Sequence, residues 1–175
     1  MNKICIFGDS LVWGACDDIG GGWAERLRQY VNKKRNGDSE VYVLGVCGDK
    51  SKDLLKRIEV ENEARDPDMV IIAIGTNDLL AGIEKDEFKK NVGSIIDIVK
   101  RKARQIKVLG INRIKKYNNK RIEEFNKILS DVCKIKKVKF IDVMSVVDDS
   151  DFVDEVHPNS KAHKKLFDLV KDQLK

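Results

Sequence analysis

A chain of 175 residues with 42% hydrophobic and 36% charged side chains is long enough for one domain with a buried core and too apolar for disorder. Its longest apolar run is far too short to cross a bilayer, and Met1-Asn2-Lys3 leads straight into a core-type run, so neither a membrane span nor a targeting segment is expected. Cys5, Cys16, Cys47 and Cys133 are widely spaced, with no CxxC pair and no metal-ligand pattern, which points to reduced thiols and a cytoplasmic protein.

The net charge of +5 is unevenly spread: residues 1–87 carry 12 Lys/Arg against 17 Asp/Glu, and residues 88–175 carry 22 against 12. The excess gathers in Lys100-Arg101-Lys102, Arg113 to Lys116 and Lys134 to Lys139. No aromatic residues are interleaved there for base stacking, so solvated faces are expected and not a nucleic-acid surface.

Apolar, branched runs alternate with amphipathic stretches from end to end. The predicted strands are Ile4–Phe7, Val41–Leu44, Met69–Ile74, Ile106–Leu109 and Val138–Ile141, continuous enough to be covered on both faces. The predicted helices are Trp23–Val31, Lys52–Glu63, Glu87–Lys102, Arg121–Cys133 and Lys161–Leu174. In the third helix Phe88, Val92, Ile95, Ile96 and Val99 share one face. Asp66-Pro67-Asp68 breaks the chain before the third strand. Gly20-Gly21-Gly22 lacks phosphate-loop spacing and reads as a flexible approach to Trp23. Five βα units in a row imply an α/β fold with a five-stranded parallel sheet between two helical layers, and residues 1–175 read as one domain.

The chemistry-bearing residues follow the strands, where ligands bind in open parallel sheets. Gly8-Asp9-Ser10-Leu11 follows the first strand, Gly45 to Asp49 the second, and Gly75-Thr76-Asn77-Asp78 the third; Asp154 and His157 precede the last helix. Acyl transfer needs a nucleophile, a base, an acceptor that orients the base and donors for an oxyanion. Ser10, His157 and Asp154 suit the first three roles; the Asn77 side chain and the Gly48 backbone N–H suit the fourth. Asp9 and Asp78 read as loop-bracing acids, and Cys47 as a small pocket-wall residue. Trp13 and Trp23 fit either a substrate pocket or the core, and His163 is expected to be exposed or packed, outside the chemistry.

In these four blocks the chain resembles the SGNH (GDSL-type) hydrolase superfamily, over residues 8 to 159. Gly8 to Leu11, Gly48-Asp49, Gly75 to Asp78, and Asp154 to His157 with Pro158-Asn159 match its blocks in order. The resemblance implies a flavodoxin-like α/β/α sandwich, no metal, no cofactor, and an oxyanion hole of Ser10 N–H, Gly48 N–H and the Asn77 side chain. It implies a serine esterase or acyl hydrolase with a Ser10-His157-Asp154 triad, acting on a small-molecule acyl ester of short chain. Thioesterase, lysophospholipase and carbohydrate deacetylase activities share that chemistry. From another class, a non-catalytic flavodoxin-like module holding an anionic partner remains open. Cys47, Lys50, Leu44, Asn112-Arg113 and Ala162 stand where relatives commonly carry other residues, so Cys47, Lys50 and Arg113 bear on substrate choice. Natural substrate and oligomeric state are not legible.

Overall fold

The computed structural model describes residues 3–115 and 117–174; Met1, Asn2, Lys175 and Lys116, the end of one basic run, lie outside them. Its strands are β1 Lys3–Gly8, β2 Glu40–Gly45, β3 Met69–Ala73, β4 Gln105–Leu109 and β5 Lys139–Ile141. They form one parallel sheet in the order β2-β1-β3-β4-β5. Between them run helices α1 Ser10–Trp13, α2 Gly22–Lys34, α3 Ser51–Arg65, α4 Thr76–Leu80, α5 Lys85–Val99, α6 Asn119–Lys136 and α7 Ser160–Asp172.

Strand alternation sorts the core into two halves. Cys5, Phe7, Val70, Ile72, Ile106 and Val108 face α3, α5 and α6, where Leu54, Ile58, Val92, Ile95, Leu129 and the Phe88–Phe125 ring pair meet them. Ile4, Ile6, Met69, Ile71, Leu109 and Ile141 turn the other way, onto Trp23, Leu27 and Val31 of α2 and Leu166 and Val170 of α7. Both faces are therefore dry, which is why the strand sequences are continuously apolar. The result is the expected α/β/α sandwich.

The differences from the predicted elements are local. α1 and α4 have four and five residues, too few to show a helical period. Tyr117 to Lys120 reads as a loop in sequence, yet the Asn118 side chain accepts from the Lys120 N–H and starts α6 one residue later. Gly20 to Gly22 is not a loose approach: it wraps the Asp17 carboxylate, which accepts from the N–H groups of Ile19, Gly20 and Gly22. Trp23 belongs to the core at 2% exposure, whereas Trp13 is 62% exposed.

The chain passes from β1 outward to β2 and then to β3 on the opposite flank, so the switch point lies between β1 and β3. α1 follows β1 and α4 follows β3 on this edge. α1 rests directly on the end of β2 because Gly45 has no side chain; a Cβ there would run into Trp13 N, Val12 C and Asp9 O. Gly45→Ala is expected to cost about 1–3 kcal/mol, the usual range for overpacking, read as a lower urea midpoint with unchanged slope.

Candidate active site

Ser10 is the first residue of α1, and Asp9 is its N-cap: the Asp9 carboxylate accepts from the Leu11 N–H at 3.0 Å. Burial pushes the Asp9 carboxyl up to about 7, against the Leu11 hydrogen bond and the nearby His157. Ser10 Oγ lies 3.1 Å from His157 Nε2.

His157 and Asp154 sit on the segment between β5 and α7. This segment opens with a 3₁₀ turn, Asp149–Asp151, and closes on itself through a bridge between Phe152 and Pro158 and the Val153 N–H to His157 O bond of 2.9 Å. Asp154 Oδ1 accepts from the N–H groups of Val156 and His157 at 2.7 and 2.6 Å, and Oδ2 lies 2.7 Å from His157 Nδ1. Burial disfavours the Asp154 charge, but the His157 ring and these two N–H groups outweigh it and hold the carboxyl at about 2. An ionised Asp154 accepts the Nδ1 proton and leaves the Nε2 lone pair for Ser10.

The β2 and β3 loops complete the group. Gly48 has φ 82, in the left-handed region that a side chain would resist, at the top of the loop between β2 and α3. Asn77, on α4, donates from Nδ2 to Asp49 O at 3.0 Å, leaving its second N–H unspent. Asp78 is buried and accepts from Ser51 N and Oγ at 2.8 and 2.5 Å, while Asn91 donates to Ser51 Oγ at 3.1 Å. The Gly48 loop and the Asn77 helix are thus tied together on both sides. The structure brings Ser10, His157 and Asp154 into hydrogen-bond sequence and sets the Gly48 loop beside the Asn77 helix.

Several residues that organise the site leave no motif in the sequence. Arg57, inside α3, donates to Asp49 Oδ2 at 2.8 Å and to the strand-end carbonyls of Gly8 and Leu44, both at 3.1 Å. Asp17 takes Arg26 Nε and Nη2 as well as three backbone N–H groups, which hold its carboxyl low despite burial. His163 is fully buried, not exposed. Its Nδ1 faces the Trp23 N–H at 3.3 Å and its Nε2 faces Ala15 O at 3.1 Å, partners that require the neutral Nε2–H tautomer.

The positions singled out for substrate choice are placed differently. Cys47 is exposed on the Gly48 loop, Lys50 N-caps α3 and pairs with Asp53 at 3.4 Å, and Arg113 is half-buried after β4. Cys16 is exposed, and its sulfur belongs to a cluster with Asp154 and His157 whose ligating atoms all lie within 4.8 Å of one another. Burial and the Asp154 charge raise the Cys16 thiol above the ordinary thiol range.

Residues 6–165 match the profile of the GDSL-like lipase/acylhydrolase family. Esterase TesA of Pseudomonas aeruginosa is 24% identical over 98% of this chain and 87% of its own length. A crystal structure of TesA superposes with a TM-score of 0.84, covering 99% of this chain and 98% of that one. Axe2, an acetylxylan esterase from Geobacillus stearothermophilus, gives 0.86 at 18% identity, with 98% and 93% covered.

Burial holds His163 below the ordinary imidazole range, with Ala15 and Asp17 opposing it. The sign follows: once pH falls through about 6.5 the unfolded chain binds a proton that the folded His163 refuses, so its stabilisation is present above that pH and lost below it. Wild type should therefore lose stability between pH 7 and 5 more steeply than His163→Gln, by up to about 1.4 kcal/mol per pH unit, in paired urea titrations. Asp9 works in the opposite direction but is common to both proteins.

Proposed function

The chain belongs to the GDSL-like lipase/acylhydrolase family, and on that premise we propose a serine esterase that cleaves short-chain acyl esters through an acyl-enzyme on Ser10. The observation that carries this reading is the unbroken sequence from Ser10 Oγ to His157 Nε2 at 3.1 Å and from His157 Nδ1 to Asp154 Oδ2 at 2.7 Å. Ser10 Oγ attacks the ester carbonyl as its proton passes to His157, and Asp154 stabilises the imidazolium. The oxyanion takes hydrogen bonds from Ser10 N–H, Gly48 N–H and the second N–H of Asn77. As the first residue of α1, Ser10 has no intrahelical acceptor for its N–H. Collapse of the intermediate expels the alcohol with the proton held by His157, and water repeats the sequence on the acyl-enzyme.

A small acyl group suits the surroundings. The Asp154 side chain is 51% exposed, so the acid arm lies at the protein surface and not inside a tunnel. Trp13, Val46 and Val153 are exposed on the same segments that carry Ser10, Gly48 and Asp154, enough apolar contact for a short acyl or alkyl group. TesA is named an esterase and Axe2 an acetylxylan esterase, in keeping with an ester substrate. The leaving group is open between simple alcohols, acetylated carbohydrate, lysophospholipid and thiol, and a panel of acyl esters varied in chain length and leaving group ranks them.

A fluorophosphonate probe should label wild type and not Ser10→Ala, and that variant should keep its fold while losing aryl acetate hydrolysis; unlabelled wild type would leave a non-catalytic binding module instead. Asn77→Ala should lower kcat by about 10²–10³ with little change in KM, the mark of a donor that acts on charge developed in the transition state. A large fall in melting temperature with a modest kcat loss would instead assign Asn77 to bracing the loop through Asp49.

A further inference from the structure

The loop after α1 carries a side chain that the esterase reading does not use. Cys16 stands six residues beyond Ser10, and its sulfur, an Asp154 carboxylate oxygen and a His157 ring nitrogen form a triangle no wider than 4.8 Å. Its backbone is fixed on both sides. Ala15 N donates to Ser10 O at 2.9 Å, Asp17 N donates to Gly14 O at 3.1 Å, and Ala15 O receives His163 Nε2 at 3.1 Å. Cys16 itself sits at φ 65, a left-handed conformation uncommon for a residue with a side chain. The thiol is thus held beside the triad and open to solvent.

We propose that Cys16, Asp154 and His157 form an inhibitory site for a thiophilic divalent cation, zinc foremost, which takes the base away from Ser10. The inhibitory effect rests on the esterase reading above; the binding of the ion does not. Thiolate, imidazole and carboxylate together are the donor set of zinc and cadmium, and not of calcium or magnesium, which take oxygen ligands. Tetrahedral zinc holds such donors about 2.0–2.3 Å from itself, hence about 3.3–3.8 Å from one another. Rotation of the exposed Cys16 and Asp154 side chains closes that gap without moving the backbone. Three protein donors leave the fourth position to water.

The balance is simple. Cys16 releases its thiol proton to solvent, and bonds form from zinc to sulfur, to one Asp154 oxygen and to one His157 nitrogen. If the ion takes Nε2, the lone pair that would accept the Ser10 proton is gone. If it takes Nδ1, the ring proton moves to Nε2, which then donates towards Ser10 Oγ and cannot accept from it. Either arrangement stops acyl transfer, and a chelator restores it. The ion is therefore a brake and takes no part in turnover.

The test titrates zinc into chelator-treated wild type, Cys16→Ala, Cys16→Ser and Cys47→Ala, following aryl acetate hydrolysis. Independently, cobalt or cadmium is added to the resting proteins and the thiolate-to-metal charge-transfer absorption recorded. Wild type and Cys47→Ala should be inhibited at micromolar zinc, recover with chelator and show the absorption. Both Cys16 variants should retain activity in chelator, lack the absorption and need at least about 10-fold more zinc, since loss of a direct ligand costs no less than loss of a group that merely orients one. Equal zinc sensitivity in wild type and the Cys16 variants, or no thiolate absorption in wild type, overturns the site. If wild type hydrolyses no ester even with chelator present, the esterase reading fails, while the absorption still decides whether the ion binds.

Discussion

The carbonyls of Gly8 and Leu44 lie at neighbouring strand ends, on the edge where the candidate active site is built, and that of Gly8 already accepts from the Val46 N–H at 3.0 Å. Arg57 supplies them with one guanidinium: Nη2 reaches both carbonyls while Nε holds the Asp49 carboxylate. Asp49 in turn offers its backbone oxygen to Asn77. One planar, permanently charged group from α3 therefore satisfies β1 and β2 and sets the height of the Gly48 loop against the Asn77 helix. At this end of the sheet the strand-end polar groups are met by side chains and by neighbouring loops, which ties the loops sideways to one another. Asp78 with Ser51 makes the second tie and Asp17 with Arg26 the third. Arg26 also reaches Ser160 Oγ at 2.9 Å, joining the loop after α1 to the start of α7, just beyond His157.

The same edge holds acidic groups in opposite states by nothing more than their neighbours. Asp9 is deeply buried with few donors and is pushed up to about 7; Asp154 has three donors on a half-exposed turn and stays at about 2. The two His residues divide in the same manner. His163 is locked between a donor and an acceptor of the main chain and serves as a neutral strut, whereas His157 has a carboxylate on Nδ1 and a hydroxyl beyond Nε2. Exchanging the two environments would exchange the roles.

How much was legible in the sequence follows from the range of each interaction. The five strands were readable as short, continuous apolar runs, and the five long helices as amphipathic stretches between them. α1 and α4 were not, being shorter than a periodic signal, although they carry Ser10 and Asn77. The spacing of Asp154 and His157 was readable because their contact is local: one carboxylate caps the turn and meets the ring three residues on. The approach of Ser10 to His157 spans 147 residues and was available only through the order of strands in a parallel sheet and the resemblance of the four blocks. Arg57 and His163 act through contacts to main chain that is distant in sequence, and Ser51 through the distant side chains of Asp78 and Asn91; such contacts leave no pattern of residue types. For the same reason Cys16 looked like an isolated thiol until the fold set it beside Asp154.

Local contacts within the segment explain why the Asp154 carboxylate can stand at the surface. A triad whose carboxylate is half exposed gains less from a low dielectric than a buried one, and must rely on fixed geometry to hold the imidazole. The segment supplies that geometry internally, through the Phe152–Pro158 bridge and the two N–H groups on Asp154, so orientation is kept although water reaches the carboxylate. The exposed Asp154 thus stands beside both the His157 ring and the Cys16 thiol, and is held to the ring by the fixed turn that carries them both.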